Sequence, residues 1–146
     1  MTTQPASAVP RKLPELEPVT GFFWTSGADG KLRIQRCGAC GRWQHPPLPR
    51  CLSCHSDQMA PQPVSGRGRV KTFTINRQAW TPALAEPFVF AAIELDEQAE
   101  LYVLSNVEAS PESVRSGLPV EVFFEHREDV WLPLFRPLTG TETGNG

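Results

Sequence analysis

Along this chain the spacing of apolar residues changes character twice. Residues 1–17 show no period, and Pro5, Pro10 and Pro14 punctuate a stretch that predicts an extended, flexible arm. Phe22, Phe23 and Trp24 then crowd together ahead of Gly27 and Gly30, which predicts a short helix over residues 18–30. Pro18 suits its first turn and Gly30 lies past its end. Three consecutive aromatics cannot share one narrow helix face, so at least one must pack on another body, in this chain or in a partner. Leu32 to Arg36 alternates apolar and charged positions and predicts a strand.

Residues 61–138 read as one further domain, opened by a linker at 61–66 beyond which the pattern becomes all-β. Gly68 to Asn76 alternates with period two, but the phase slips around Thr72 and Phe73, which allows a bulge. A loop with Trp80, Pro82 and Pro87 follows, then a nearly continuous apolar run from Phe88 to Leu95, short enough for a buried strand. Further strands are expected at Glu100 to Val107, Val120 to Glu125 and Val130 to Phe135. Before the fourth of these five strands, Ser110-Pro111-Glu112 predicts a helical turn, with serine as cap, proline at its first position and Gly117 closing it. Five strands with one short helix before the fourth suggest a small Greek-key barrel of the OB type. The Gly- and Thr-rich residues 139–146 predict a disordered tail.

The only four cysteines lie between these regions, as Cys37-Gly-Ala-Cys40 and Cys51-Leu-Ser-Cys54, and mark residues 31–60 as a metal-binding ribbon. Two C-x2-C knuckles supply the four soft ligands, about 2.3 Å from the metal, that tetrahedral Zn²⁺ requires. Gly38 and Gly41 would relieve the tight turn of the first knuckle. A secreted disulfide framework does not suit a chain with no signal peptide and no other cysteines. A redox C-x-x-C is usually single and set in a βαβ unit. An iron site of the same shape is the remaining alternative. Four thiolates fill the shell and leave no position for a catalytic water, so the metal is expected to be structural. His45 and His55 are expected at the surface or behind the ligands.

Length and composition narrow the classes further. At 146 residues and 40% hydrophobic, the chain suits one compact domain with a small appendage. No apolar run approaches the roughly 20 residues that span a bilayer, and metal-bound cysteines point to the cytoplasm. Net charge is −2, yet nine basic residues stand against Asp57 alone between Lys31 and Arg77, a local +8 that leaves −10 elsewhere. The basic stretch is either a solvated surface or an anion site. General nucleic-acid binding calls for a more basic domain.

The order of the parts resembles a known family, the zinc-ribbon and OB-fold proteins associated with acyl-CoA enzymes, domain of unknown function 35. The resemblance runs from Phe23-Trp24 through Lys31-Leu-Arg-Ile-Gln-Arg-Cys37, Cys40-Gly41, Pro46-Pro47 and Cys51-x-x-Cys54. It continues in Gly66-Arg-Gly-Arg-Val-Lys-Thr-Phe-Thr74, Ala92-Ile-Glu-Leu-Asp96, Gly117-Leu-Pro-Val-Glu-Val122 and Leu132-Pro-Leu-Phe-Arg136. It implies a mainly β chain with an N-terminal helical segment, a rubredoxin-like zinc ribbon and a C-terminal five-stranded OB barrel. It also implies a working context, as a hetero-oligomeric partner of thiolase-fold or lipid-transfer-protein-like enzymes. Such assemblies carry out retro-aldol cleavage of steroid side-chain thioesters, acyl transfer or hydroxymethylglutaryl-CoA synthesis. The family has no catalytic motif to carry over; its zinc ligands map onto Cys37, Cys40, Cys51 and Cys54.

The residues agree with a non-catalytic role. No Ser-His-Asp order and no phosphate loop stands out, and Asp96, Glu97 and Glu100 fall in an expected hairpin turn. For coenzyme A, the candidates are Arg67, Arg69 and Arg77 on the phosphates, with Trp80 over an adenine or acyl group. The reading is therefore a zinc-containing, non-catalytic subunit that docks a thiolase-type aldolase or acyltransferase and shapes its CoA-thioester site. A single-stranded nucleic-acid binder would need basic and aromatic residues along the barrel groove, where this sequence is acidic. A stand-alone acyl-CoA binder or enzyme is the other alternative.

Overall fold

The structure is a computed structural model and describes residues 13–77 and 87–138. A short helix α1 (Gly21–Thr25) runs into a 3₁₀ turn (Ser26–Asp29), and Gly30 ends it in the left-handed region at φ 81°. The helical segment starts later than Pro18. Residues 17–21 form a separate turn in which the Gly21 N–H donates to the Glu17 carbonyl at 2.7 Å, and Thr20 provides no side-chain cap. Phe23 enters the core, and Phe22 and Trp24 pack against it half-buried, so this chain itself takes up the aromatic cluster. Gly27 is fixed by packing: a Cβ there would lie 2.4 Å from the Phe124 ring and 2.8 Å from Trp131 Cβ.

The ribbon is a three-stranded antiparallel sheet with β1 (Arg33–Cys37) between β2 (Trp43–Gln44) and β3 (Met59–Pro63). β3 corrects the expected linker, because Pro61 pairs with Gln35 and Pro63 with Arg33. A proline in a strand is tolerated at an edge if its missing N–H would face outward. The Gly38 N–H donates to the Gln58 carbonyl at 2.7 Å and the Val64 N–H to the Leu32 carbonyl at 2.9 Å. Even-numbered residues therefore bond β1, and both prolines turn their nitrogens away.

The barrel strands are β4 (Arg67–Asn76), β5 (Phe88–Leu95), β6 (Tyr102–Val107), β7 (Pro119–Arg127) and β8 (Val130–Pro137). They close in the order β4-β5-β6-β8-β7, antiparallel throughout except where β6 meets β8 at Val107 and Phe135. This closed five-stranded Greek key is the OB fold. The slip expected in β4 is a shift of register between Val70 and Thr72. Inward-facing Val70, Val89, Ile93, Val103, Val120 and Phe135 are almost wholly buried and fill the barrel. The turn before β7 is a 3₁₀ turn (Pro111–Ser113), and Ser110 stands at its cap without a side-chain bond. Instead Ser113 Oγ donates to the Ser110 carbonyl at 2.8 Å. Gly117 belongs to a later turn, where its N–H donates to the Val70 carbonyl at 2.7 Å.

Candidate metal centre and interaction face

The two knuckles are built alike. In the first, the Cys37 N–H donates to the Arg42 carbonyl and the Gly41 N–H to the Cys37 carbonyl, both at 2.9 Å. In the second, the Cys51 N–H donates to the Ser56 carbonyl and the His55 N–H to the Cys51 carbonyl, again at 2.9 Å. The residue after each second cysteine must take positive φ. Gly41 does so at 82°, whereas His55 does so at 67°. Gly38 has a different role from the one expected: a Cβ there would lie 3.3 Å from the Gln58 carbonyl, so its smallness admits β3.

The four sulfurs lie within 4.8 Å of one another. Cys37 and Cys54 are 3.6 Å apart, and Cys40 and Cys51 are 3.7 Å apart. Ligands about 2.3 Å from a tetrahedral zinc place neighbouring sulfurs about 3.8 Å apart, whereas a disulfide needs about 2 Å. The cysteines therefore form an S₄ shell for structural Zn²⁺ rather than two disulfides. Backbone N–H groups tune it: those of Ala39 and Cys40 point at Cys37 Sγ (3.3 and 3.4 Å), and those of Ser53 and Cys54 at Cys51 Sγ (3.3 and 3.4 Å). The Cys40 backbone bond, ahead of the others, holds the Cys37 thiol down at about 6. The corresponding Cys54 bond lowers Cys51. Cys54 is pushed up to about 11: the Ser56 backbone bond pulls it down, but the neighbouring sulfurs, Cys37 first, and burial outweigh it.

Three glutamines hold this centre in place. Buried Gln35 donates to the Leu48 carbonyl at 2.7 Å and accepts from the Leu48 N–H at 2.9 Å. Gln44 donates to the Arg50 carbonyl at 3.0 Å and accepts from the Leu52 N–H at 2.9 Å, setting the approach to the second knuckle. Gln98, in the β5–β6 turn, reaches across to the ribbon. Its Oε1 accepts from the Trp43 N–H at 2.9 Å and its Nε2 donates to the Trp43 carbonyl at 3.0 Å, capping the edge of β2 as a strand would. Sequence reasoning missed all three. The one available signal was that Gln35 falls on the same face of the predicted strand as the first metal ligand, Cys37.

In the same turn one carboxylate and one main-chain group make further bonds. Glu97 Oε2 accepts from the Ser65 N–H at 2.8 Å, and the Asp96 N–H donates to the Arg67 carbonyl at 3.0 Å. Much of the basic excess is also engaged. Asp29 holds Arg33 through two bonds of 3.0 and 2.8 Å. The Arg36 guanidinium lies 4.6 Å over the Trp43 ring, and Arg50 donates to the His55 carbonyl at 3.1 Å. Arg67 and Arg69 project from one exposed face at the start of β4, with Arg69 donating to the Gly117 carbonyl at 3.1 Å. Arg77 is exposed beyond the other end of that strand, up to roughly 30 Å along the chain at about 3.3 Å per residue. The first two arginines are brought together and the third is not. Trp80 lies outside the described residues.

A different face carries the concave apolar surface. Two hollows of about 660 and 530 Å³ meet at Trp24 and Leu104, which line both. Leu13, Pro14, Phe90, Leu132 and Leu134 help enclose the first. Phe23, His45, Pro46, Pro47 and Tyr102 help enclose the second. His45 is no ordinary surface residue. Its ring lies 4.6 Å from that of Phe23, its Nδ1 is buried with no hydrogen-bond partner among the described residues, and burial drops its pKa to about 4. His55 is exposed, as expected. Among the described residues no helix is long and apolar enough to cross a membrane.

Comparison with known proteins agrees with this architecture. Residues 24–60 match the rubredoxin-like zinc ribbon domain of ChsH2, and residues 61–125 match its C-terminal OB-fold domain. A benzoylsuccinyl-CoA thiolase subunit, BbsA, of Thauera aromatica is 32% identical over 77% of this chain and 81% of its own length. A probable enoyl-CoA hydratase alpha subunit of Thermomonospora curvata is 32% identical over 90% of this chain. The 3-oxo-4,17-pregnadiene-20-carboxyl-CoA hydratase alpha subunit of Mycobacterium tuberculosis is 35% identical over 72%. The chain spans only 41% and 33% of those two alpha subunits. Among solved structures, a chain of the Ltp2-ChsH2(DUF35) aldolase superposes with a TM-score of 0.76 at 29% identity, covering 86% of this chain and 98% of that one. A DUF35-family protein of unknown function from Sulfolobus solfataricus shares the fold, with a TM-score of 0.58 at 19% identity. With its S₄ ribbon set against an OB barrel, the chain belongs to the ChsH2-type, DUF35 family of zinc-ribbon and OB-fold proteins.

Proposed function

We propose that this chain is a non-catalytic, zinc-containing subunit of a thiolase-type acyl-CoA enzyme complex, an aldolase that cleaves a CoA thioester by retro-aldol chemistry or an acyltransferase. In this role it docks the thiolase-fold subunit and shapes its thioester site. The observation that carries the reading is the pairing of a coordinatively complete S₄ centre with an apolar face left open at Trp24 and Leu104. A full thiolate shell builds structure and activates no water. An open apolar face rimmed by polar residues suits a protein partner. The relatives support it, being named as thiolase, hydratase and aldolase components. Arg67 and Arg69 are the pair assigned to the phosphates of the shared CoA substrate, because adjacent guanidinium groups bind phosphate by paired hydrogen bonds. Arg77 and Trp80 were candidates for the same ligand, but Arg77 stands apart from that pair.

Reconstitution tests the reading. The chain and its co-purifying thiolase-fold subunit are assayed for turnover of acyl-CoA thioesters, separately and together. Activity that requires both proteins, with loss of CoA affinity in an Arg67→Ala/Arg69→Ala variant, is expected. Full activity of the thiolase-fold subunit without this chain, or turnover by this chain alone, contradicts it.

A further inference from the structure

Resting on the subunit reading, and naming the face through which it operates, we propose that the trough centred on Trp24 and Leu104 seats an apolar segment of the partner flanked by lysine or arginine. Leu104 and Phe90 project from the outer side of neighbouring strands, where Ala92 pairs with Leu104 and Phe90 with Asn106. They are 64% and 41% exposed, in mid-strand positions where a free barrel would carry polar residues. The hollows on either side, of about 660 and 530 Å³, are each within the roughly 300–1,000 Å³ of typical binding sites. Leu104 stands between them, so an incoming segment would straddle it with one anchor in each. Trp24 and Tyr102 in its lining are residue types that dominate protein–protein hot spots.

Charge selects the occupant. Among the described residues, Glu15 and Glu17 line the first hollow, and no lysine or arginine lines either one. A phosphate-bearing ligand or an anionic lipid surface would meet carboxylates and no cation among the described residues. The CoA headgroup therefore belongs elsewhere, and a segment with basic flanks complements this rim. Opposite charge around an apolar contact speeds encounter and excludes wrong partners. The buried, neutral imidazole of His45 adds no positive charge to compete with it. Leu52 is the rival surface: it is 71% exposed on the second knuckle, but neither hollow includes it.

The test uses the full chain, the thiolase-fold subunit recovered with it, and the variants Leu104→Glu and Leu52→Glu. Both sites are exposed, so zinc content and melting temperature should match the wild type in each. Leu104→Glu is expected to weaken binding at least about 30-fold, the scale of a hot-spot loss, and Leu52→Glu less than about threefold. A photo-reactive residue at position 104 is expected to cross-link a partner peptide that has apolar anchors and lysine or arginine flanks. Equal binding by Leu104→Glu, loss confined to Leu52→Glu, or cross-linking to an acidic peptide overturns the inference while leaving the subunit reading intact. So does a self-associated wild type that Leu104→Glu dissociates, since a second copy would then occupy the trough. A wild-type chain that binds no thiolase-fold subunit overturns both.

Discussion

His45 lies between Gln44 and a proline pair, and nothing local says that its ring will be taken against Phe23. In the sequence it reads as a surface or outer-shell residue, because the partner that buries it comes from a helix some twenty residues earlier. Burial lowers its pKa from 6.5 to about 4. Between those values the unfolded chain binds a proton that the folded chain refuses. Stability is therefore complete above about pH 6.5 and falls as the pH drops through the window. From pH 7 to 4.5 the loss is on the order of 2–3 kcal/mol. Denaturation of the wild type and a His45→Gln variant at both pH values should show a wild-type slope steeper by that amount, whereas parallel slopes would contradict it. A second residue, His55, holds φ at 67° where the matching position of the first knuckle is Gly41. His55→Gly should raise stability by several tenths of a kcal/mol to about 1 kcal/mol, by relieving a left-handed non-glycine residue. A lower melting temperature would count against that assignment of strain.

At the scale of elements, the apolar pattern revealed the barrel strands, although β5 reads as a continuous apolar run where the structure buries Val89, Ala91, Ile93 and Leu95 on one face. It could not reveal β3, whose prolines read as a linker until an edge position turns their nitrogens outward. Nor could it reveal attachments made by side-chain amides. Gln98 bonds both main-chain groups of Trp43 and is the hydrogen-bonded clasp between turn and ribbon. Gln98→Ala should cost about 1–3 kcal/mol by leaving the Trp43 groups unpaired, and should speed release of zinc to a chelator. Unchanged release would show that β2 is held without the clasp. Gly27 makes the complementary case for packing. Gly27→Ala forces a methyl group into Phe124 and Trp131, and overpacking of this kind costs about 1–3 kcal/mol. A melting temperature equal to that of wild type would mean that the 3₁₀ turn can lift off β7 and β8 freely.

For the molecule as a whole, two C-x2-C pairs mark a metal site from spacing alone, with zinc favoured over iron, since four thiolates so placed have few other uses. The interaction face was less legible. Trp24, Phe90 and Leu104 are far apart in sequence, and only closure of the barrel beside α1 brings them to one trough. The arginines show the converse. Arg67, Arg69 and Arg77 look like one patch along the chain, but an extended strand carries the last of them away. Zinc connects the two ends of the molecule. Its coordination supplies folding free energy to the ribbon, and the ribbon contributes His45, Pro46 and Pro47 to the second hollow. Removing the metal, or substituting Cys37→Ser, should therefore abolish partner binding along with ribbon order. A Cys37→Ser chain that binds its partner with wild-type affinity would separate the metal from the interaction.

The most direct test of the central claim is purification of the native chain from its source cells at low salt, with every co-eluting protein identified by mass spectrometry and the mass of the intact assembly determined. The account predicts a hetero-oligomer with a thiolase-fold subunit in a fixed ratio. A chain that elutes alone, with no thiolase-fold protein at any salt concentration, would contradict it.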